Sequence, residues 1–216
     1  MTTKRRRSRA KAKRSARSRS SPERGALRVL LAEATGLRPH AVRLTYGTHG
    51  KPALEPEPGL PTLEFNVSHS ADLALLALHR GAPLGVDVEA LRPLSDRAAI
   101  AARFFTPAEA EAIASLPAAQ QDLGFFLCWT RKEAVLKAVG DGISLGLDRY
   151  RVACRPGEPA RVLDVDGRAD RAAEWTLVDL QPAAGFAGAA AFRGGPRPLR
   201  LNWLDLPREV LPRLSP

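Results

Sequence analysis

The sequence predicts an α+β protein, and three observations lead there. Strand-like and helix-like stretches occur in both halves of the chain, they do not alternate as a doubly wound parallel sheet requires, and the pattern turns from strand to helix beyond Arg92 and Pro93. At 216 residues the chain is long enough for two small lobes with a sizeable core. Its 44% hydrophobic and 26% charged residues exclude a fibrous or wholly disordered protein.

In residues 24–35, Leu27, Leu30, Leu31 and Ala34 recur on one helical face, and Gly36 stops the helix. An extended VRLTY follows at 42–46, then a turn-rich GTHGKP at 47–52 and a surface loop, EPEPGLP, at 55–61. Strands are expected at 63–67, 73–79 and 84–89. Helices are expected at 96–105, from Thr106-Pro107 to Leu116, and at about 122–139. Thr106 as N-cap, Pro107 at the first helical position and Glu109 at the third open the second of these. Short strands at 150–154, 175–180, 186–192 and 199–204 complete the chain. The expected organisation is a basic tail at 1–21, an N-terminal lobe at 22–92 and a C-terminal lobe at 93–216.

The net charge of +10 invites a nucleic-acid or membrane reading until it is located. Residues 1–24 hold eleven basic side chains and one acidic one, so the rest of the chain is neutral. The tail has no apolar periodicity and cannot bury enough surface to offset its ordering entropy, so disorder is expected up to about Ser21. It also lacks the apolar stretch of a secretory signal, and no apolar run approaches the ~18 residues that span a bilayer. Cys128 and Cys154 are too few for a disulfide framework and lack metal-ligand spacing. A cytoplasmic protein without a membrane partner is expected.

Three segments depart from ordinary core or surface. In GVDVE at 85–89, strand alternation puts Val86 and Val88 on one face and Asp87 with Glu89 on the other. Paired carboxylates suit a hard divalent cation such as Mg²⁺, although an edge strand with a solvated acidic face would read the same way. In FFLCWTRKEAVLKAVGDG at 125–142, Phe125, Cys128, Trp129, Val135, Leu136 and Val139 form a buried helical stripe with Glu133 at its border, four residues before Lys137. The plain alternative is a surface Glu–Lys pair; beside Asp87 and Glu89, Glu133 supplies a third carboxylate, and Gly140-Asp141-Gly142 a tight stop. The third segment joins THGKP at 48–52 to FNVSHS at 65–70. Neighbouring Ser68 and His69 point to opposite faces and make a poor nucleophile–base pair, whereas Asn, Ser and His at a strand end can donate to a phosphate or nucleotide, or simply satisfy a turn. Beyond residue 24 only Lys51, Lys132 and Lys137 are lysines, and all fall in or beside these segments, where a compact ammonium suits phosphate.

In this order and spacing, GKP, FNVSHS, GVDVE and WTRKEAVLKAVGDGISL resemble the 4'-phosphopantetheinyl transferases, specifically the larger single-chain type that activates surfactin synthetase. The resemblance runs over about residues 24–150. It implies two pseudosymmetric lobes, each a small antiparallel sheet packed on helices, with coenzyme A and Mg²⁺ bound at their junction. The phosphopantetheine arm is then moved to a serine of an apo acyl or peptidyl carrier protein, with release of 3',5'-ADP. By matching positions, Asp87, Glu89 and Glu133 are implied as Mg²⁺ ligands, and Lys137 as a phosphate contact. Lys51, Asn66, Ser68 and His69, with His49 and Gly50 in the adjoining loop, are implied at coenzyme A, Arg24 at its 3'-phosphate, and Arg19 as a weaker candidate. Family chains usually open with an apolar strand before the first helix; this one has the basic tail. Glu133 is the expected general base toward the carrier serine, with Lys137 and Lys51 offsetting charge on the phosphates. Both sides of the site can come from one chain, so a monomer is expected. Two other functions compete with this one: a nucleic-acid binder led by the tail, which leaves three carboxylates unexplained, and a Mg²⁺-dependent phosphodiesterase, which needs no carrier surface.

Overall fold

The computed structural model describes residues 22–47, 51–56, 62–140 and 146–203. The basic tail, His49, Gly50, most of the Pro-rich loop, Asp141 and Gly142 lie outside the described residues. Helix α1 (Pro22–Thr35) buries Leu31 and Ala32 against Val42 and Phe65, an apolar cluster separate from the main core. Strand β1 (Leu44–Tyr46) pairs antiparallel with β2 (Pro52–Leu54). β2 begins at Pro52, the end of the turn-rich 47–52, and was not expected, because a three-residue strand opening on proline shows no alternation.

Strands β3 (Leu63–Ser70) and β4 (Leu73–Arg80) form a hairpin in continuous register from Leu63↔Arg80 to Ser70↔Leu73. β3 runs three residues beyond its expected end at 67, since pairing with β4 carries the polar Ser68-His69-Ser70 in the ladder. Strand β5 (Leu84–Ala90) pairs not with its sequence neighbour β4 but with β9 (Phe186–Arg193), which also pairs with β8 (Trp175–Leu180). The last strand of the first half is thus hydrogen-bonded to the end of the second.

Three helices lie between. Helices α2 (Arg97–Phe104) and α3 (Pro107–Ala114) match expectation within a few residues, and α3 carries the predicted capping box: Glu109 N–H donates to Thr106 Oγ1, and Thr106 N–H donates back to Glu109 Oε2. Helix α4 (Ala118–Val139) starts earlier than expected, behind Pro117, because its first turn carries no apolar periodicity. It ends at Gly140, whose φ of 88° is open to glycine and whose amide donates to Leu136 O. Phe125 and Trp129 stack, Phe105 packs tilted against both rings, and the three anchor its first half. Its second half corrects the picture of a single buried stripe: every residue from Thr130 to Leu136 is buried, charged ones included. The helix crosses β5 and β9 on one side and meets α3, β6 (Tyr150–Val152) and the 3-10 turn Leu147–Arg149 on others.

β6 pairs with β7 (Val162–Val165), a strand with no cue in the sequence, and ends two residues short of the expected Cys154, after a register shift between Arg151 and Val152. The strand expected at 199–204 is not formed over 199–203; no partner strand adjoins it among the described residues, and Leu199, Leu201 and Trp203 are exposed. Helices packed on small, wholly antiparallel sheets make the fold α+β. Among the described residues no helix is long and apolar enough to cross a membrane.

Candidate active site

The site is built where α4 crosses β5, and Gly85 sets how closely they approach. A Cβ on Gly85 would lie 2.0 Å from Ala134 O and 2.4 Å from Ala138 N, so only glycine lets the helix backbone rest on the strand. The neighbouring strand β9 turns Ala187, Ala189 and Ala191 to the same face, side chains small enough to keep α4 down on the sheet. Glu133 and Lys137, one helical turn apart, are thereby brought against Asp87, two residues beyond Gly85.

Alternation on β5 holds as expected. Val86 and Val88 are buried among Leu75, Leu180 and Ala190, while Asp87 and Glu89 occupy the other set of positions. The solvated edge-strand reading fails, because Asp87 is buried under α4. Asp87 Oδ1 accepts from Lys137 Nζ at 2.7 Å and from Ser68 Oγ at 2.7 Å. Its Oδ2 is buried without a hydrogen-bond partner. Burial pushes the Asp87 carboxyl up, opposed by the Lys137 ammonium, the Ser68 hydroxyl and the Val88 amide. Glu89 is also held up, mainly by desolvation, while its hydrogen bond from Ser70 Oγ at 3.0 Å works the other way.

Glu133 departs most from expectation. It is 4% exposed rather than half solvated, and its Oε1 is buried without a partner. Lys137 donates to Asp87 and Ser68, so the geometry differs from a surface Glu133–Lys137 pair. Burial raises the Glu133 carboxyl to about 7, and the charges of Asp87 and Glu89 add to the rise while Lys137 opposes it. Asp87 and Glu133 therefore present unpartnered oxygens in a region crowded with negative charge, and an all-oxygen donor set of this kind fits a hard divalent cation. Among the described residues no three His, Cys, Asp or Glu side chains form a ready metal cage. Protein oxygens would complete only part of a shell, the usual arrangement for Mg²⁺, which keeps water and phosphate oxygens.

The other predicted residues divide. Lys51 reaches the same junction: its Nζ donates to Lys137 O at 2.6 Å and Leu84 O at 3.3 Å, and burial lowers its pKa. Asn66 and Ser68 are buried and engaged with β5, Asn66 Oδ1 accepting from Val86 N–H at 2.9 Å. His69 follows Ser68 on β3, and Arg24 falls in the first turn of α1, its side chain outside the described parts; Arg19, His49 and Gly50 lie outside the described residues. The lysine pattern misleads at Lys132, which is fully buried away from the carboxylates. Its Nζ pairs with Glu109 at 2.7 Å and donates to Leu147 O and Tyr150 O. Arg131 beside it is equally buried, bidentate to Asp179 and donating to Ala153 O. Ser70 and Gly85 were overlooked; Gly85 could have been found as a glycine inside a strand pattern, a sign of close backbone approach.

Residues 83–191, half of the chain, match the family described as the 4'-phosphopantetheinyl transferase superfamily. The chain is 40% identical over 178 residues to the 4'-phosphopantetheinyl transferase HetI of Nostoc sp., a match covering 82% of this chain and 72% of that protein. It is 34% identical over 111 residues to the 4'-phosphopantetheinyl transferase Sfp of Bacillus subtilis, covering 51% of this chain and 47% of the relative. To the 4'-phosphopantetheinyl transferase AcpT of Salmonella typhimurium it is 41% identical over 114 residues, 52% of this chain and 56% of the relative. The family match takes in β5 and α4, the two elements that assemble the carboxylate site, and the match to HetI extends over most of both proteins: the chain belongs to the 4'-phosphopantetheinyl transferase superfamily.

Proposed function

We propose that the protein transfers the 4'-phosphopantetheine arm of coenzyme A to a serine of an apo acyl or peptidyl carrier protein, releasing 3',5'-ADP. The observation that carries this is the meeting of Asp87 and Glu133, each with a buried unpartnered oxygen, in a chain of this family. Asp87, Glu89 and Glu133 would hold Mg²⁺, which when bound neutralises charge on the pyrophosphate. Lys137, with Lys51 at the same junction, counters the negative charge that gathers on the phosphate oxygens. Lys51, Asn66, Ser68, His69, His49, Gly50 and Arg24 are proposed around coenzyme A on the strength of the family resemblance.

In the reaction the serine oxygen forms a bond to the β-phosphorus, and the bond from that phosphorus to the bridging oxygen breaks, its electron pair leaving with 3',5'-ADP. Glu133 is proposed to take the serine proton at Oε1, directly or through a water. A bound cation favours the ionised form of this carboxyl, the form that accepts a proton. Trp129, Phe125 and Leu136 hold the helix rather than touch substrate.

We propose further that residues 22–92 and 93–216 are the two lobes, a division supported by separate apolar clusters around Leu31 and around α4, with β5 the strand that joins them. Residues 1–21 are proposed as a basic tail. One chain supplies both β5 and α4, which supports a monomer, and neutrality beyond the tail speaks against nucleic acid as partner. A cytoplasmic location is proposed from the sequence. The test is intact-protein mass spectrometry after incubation with coenzyme A, Mg²⁺ and a panel of apo carrier proteins. A carrier gaining one phosphopantetheine arm is expected, with loss of the gain for Asp87→Ala and Glu133→Ala. Coenzyme A cleaved with no carrier modified would favour a phosphodiesterase and overturn the reading.

A further inference from the structure

Strands β3 and β5 run side by side with no main-chain ladder between them, β3 being paired to β4 and β5 to β9. Along this seam every second amide of β5 is taken by every second side chain of β3. Val86 N–H donates to Asn66 Oδ1 at 2.9 Å, Val88 N–H to Ser68 Oγ at 3.3 Å and Ala90 N–H to Ser70 Oγ at 3.0 Å. Amides on the edge of β5 that would otherwise lack partners are satisfied in this way.

The two serines do a second thing. A hydroxyl can accept and donate at once, and each of these donates to the carboxylate of the residue just before the amide it holds. Ser68 Oγ donates to Asp87 Oδ1 at 2.7 Å, and Ser70 Oγ donates to Glu89 Oε2 at 3.0 Å. The same construction therefore repeats at a two-residue step along β5. One oxygen of each carboxylate is engaged by the strand beside it; in Asp87 the other is the buried, unpartnered Oδ2. Glu89 has a competing partner in Arg92, whose Nη1 stands 3.7 Å from Oε2 on the solvent side, with the Glu89 side chain 26% exposed and Arg92 56% exposed. Without the Ser70 hydroxyl, Glu89 is free to follow Arg92 outward.

We propose that Ser70 is a positioning residue: its hydroxyl holds the Glu89 carboxylate toward Asp87, in the orientation that meets the divalent cation, as Ser68 holds Asp87. This rests on the reading of Asp87, Glu89 and Glu133 as cation ligands. Hydrogen-bond partners that orient metal ligands typically matter by about 10–100-fold in metal affinity.

The test uses the full chain without coenzyme A or carrier, and Mn²⁺ as the probe, its free concentration read by electron paramagnetic resonance. Ser70→Ala is expected to weaken Mn²⁺ binding about 10-fold or more, while Ser70→Thr, which keeps the hydroxyl on a residue suited to strands, restores it. Circular dichroism melts establish that each variant is folded at the assay temperature. Should Ser70→Ala not fold, Ser70→Cys, close in shape but a weak donor, is expected to show the same loss. Parent-like Mn²⁺ affinity in folded Ser70→Ala or Ser70→Cys overturns the proposal, as does a Ser70→Thr variant as weak as Ser70→Ala. Glu89→Gln separates the two levels. If Glu89→Gln weakens Mn²⁺ binding and Ser70→Ala does not, the role of Ser70 alone is lost. If Glu89→Gln binds as the parent does, the ligand reading of Glu89 fails and the proposal with it.

Discussion

Replacing Glu133 by glutamine should make the cation-free protein more stable, although it removes the group proposed as general base. Burial, with Asp87 and Glu89 nearby, raises the Glu133 carboxyl from 4.5 to about 7 in the folded state. Between those values the folded protein keeps a proton that the unfolded chain has released, so the folded state binds more protons and stability falls as pH rises through the window. Below about pH 4.5 both states are protonated and this cost is absent; above about pH 7 it is present in full. At about 1.4 kcal/mol for each pH unit, the full cost is about 3 kcal/mol. Glutamine has nearly the shape of the protonated acid and never ionises. Glu133→Gln in EDTA at pH 8 is therefore expected to melt roughly 6–12 °C above the parent, since 1 kcal/mol moves Tm by about 2–4 °C in a domain of this size. Near pH 4.5 the two should melt together. Thermal melts by circular dichroism from pH 4.5 to 8.5 measure this, and parallel Tm curves with a constant offset would refute the electrostatic origin.

The remaining predictions concern how the site is held. Gly85→Ala places a methyl group against two backbone atoms of α4 that cannot yield separately, and a loss of more than about 4 kcal/mol or failure to fold is expected in urea unfolding; a parent-like midpoint would mean the crossing is looser than described. Lys132→Met leaves the buried Glu109 carboxylate without its ion partner and should cost about 3–5 kcal/mol, with KM for coenzyme A unchanged wherever the variant is folded. A raised KM at unchanged stability would instead put Lys132 at the phosphates. Thr106→Ala removes the acceptor of the Glu109 amide and one donor to its carboxylate, and should cost about 1–2 kcal/mol in the same assay.

Much of the fold was legible because the cues were local. Thr106-Pro107 with Glu109 marked a helix start, and alternation in GVDVE told Val86 and Val88 from Asp87 and Glu89. What stayed hidden depends on contacts distant in sequence. Nothing in residues 84–90 says that this strand pairs with 186–193 rather than with the strand next to it. Glu133 reads as a border residue because periodicity assumes one apolar face, whereas α4 is enclosed on several sides and buries Arg131, Lys132 and Glu133 with specific partners or a specific lack of them. Scarcity of lysine drew attention to Lys51, Lys137 and Lys132 alike. Only the Glu109 carboxylate, 23 residues earlier, reveals that Lys132 serves the scaffold. Ser70 carries no sequence cue, because its partners, Glu89 and the Ala90 amide, lie across the β3–β5 seam.

The energetics of this site tie its assembly to its occupancy. Asp87, Glu89 and Glu133 share the Lys137 ammonium, and Arg92 reaches Glu89 alone from the solvent side, so bringing the three carboxylates together leaves negative charge uncompensated in a buried place. The ionised Glu133 alone costs about 3 kcal/mol above pH 7. A ligand that binds only the folded state at about 100 times its Kd contributes about 2.7 kcal/mol, the same size with the opposite sign. The proposed cation would thus return the stability that placing Glu133 beside Asp87 removes, and would do so only for a chain able to ionise there. Mg²⁺ should accordingly raise the Tm of the parent at pH 8 by several degrees, and move Glu133→Gln much less. The order of stability seen in EDTA then narrows or inverts. Equal Mg²⁺-induced shifts in both proteins would separate the cation from Glu133 and leave its raised carboxyl to the proton-transfer role alone.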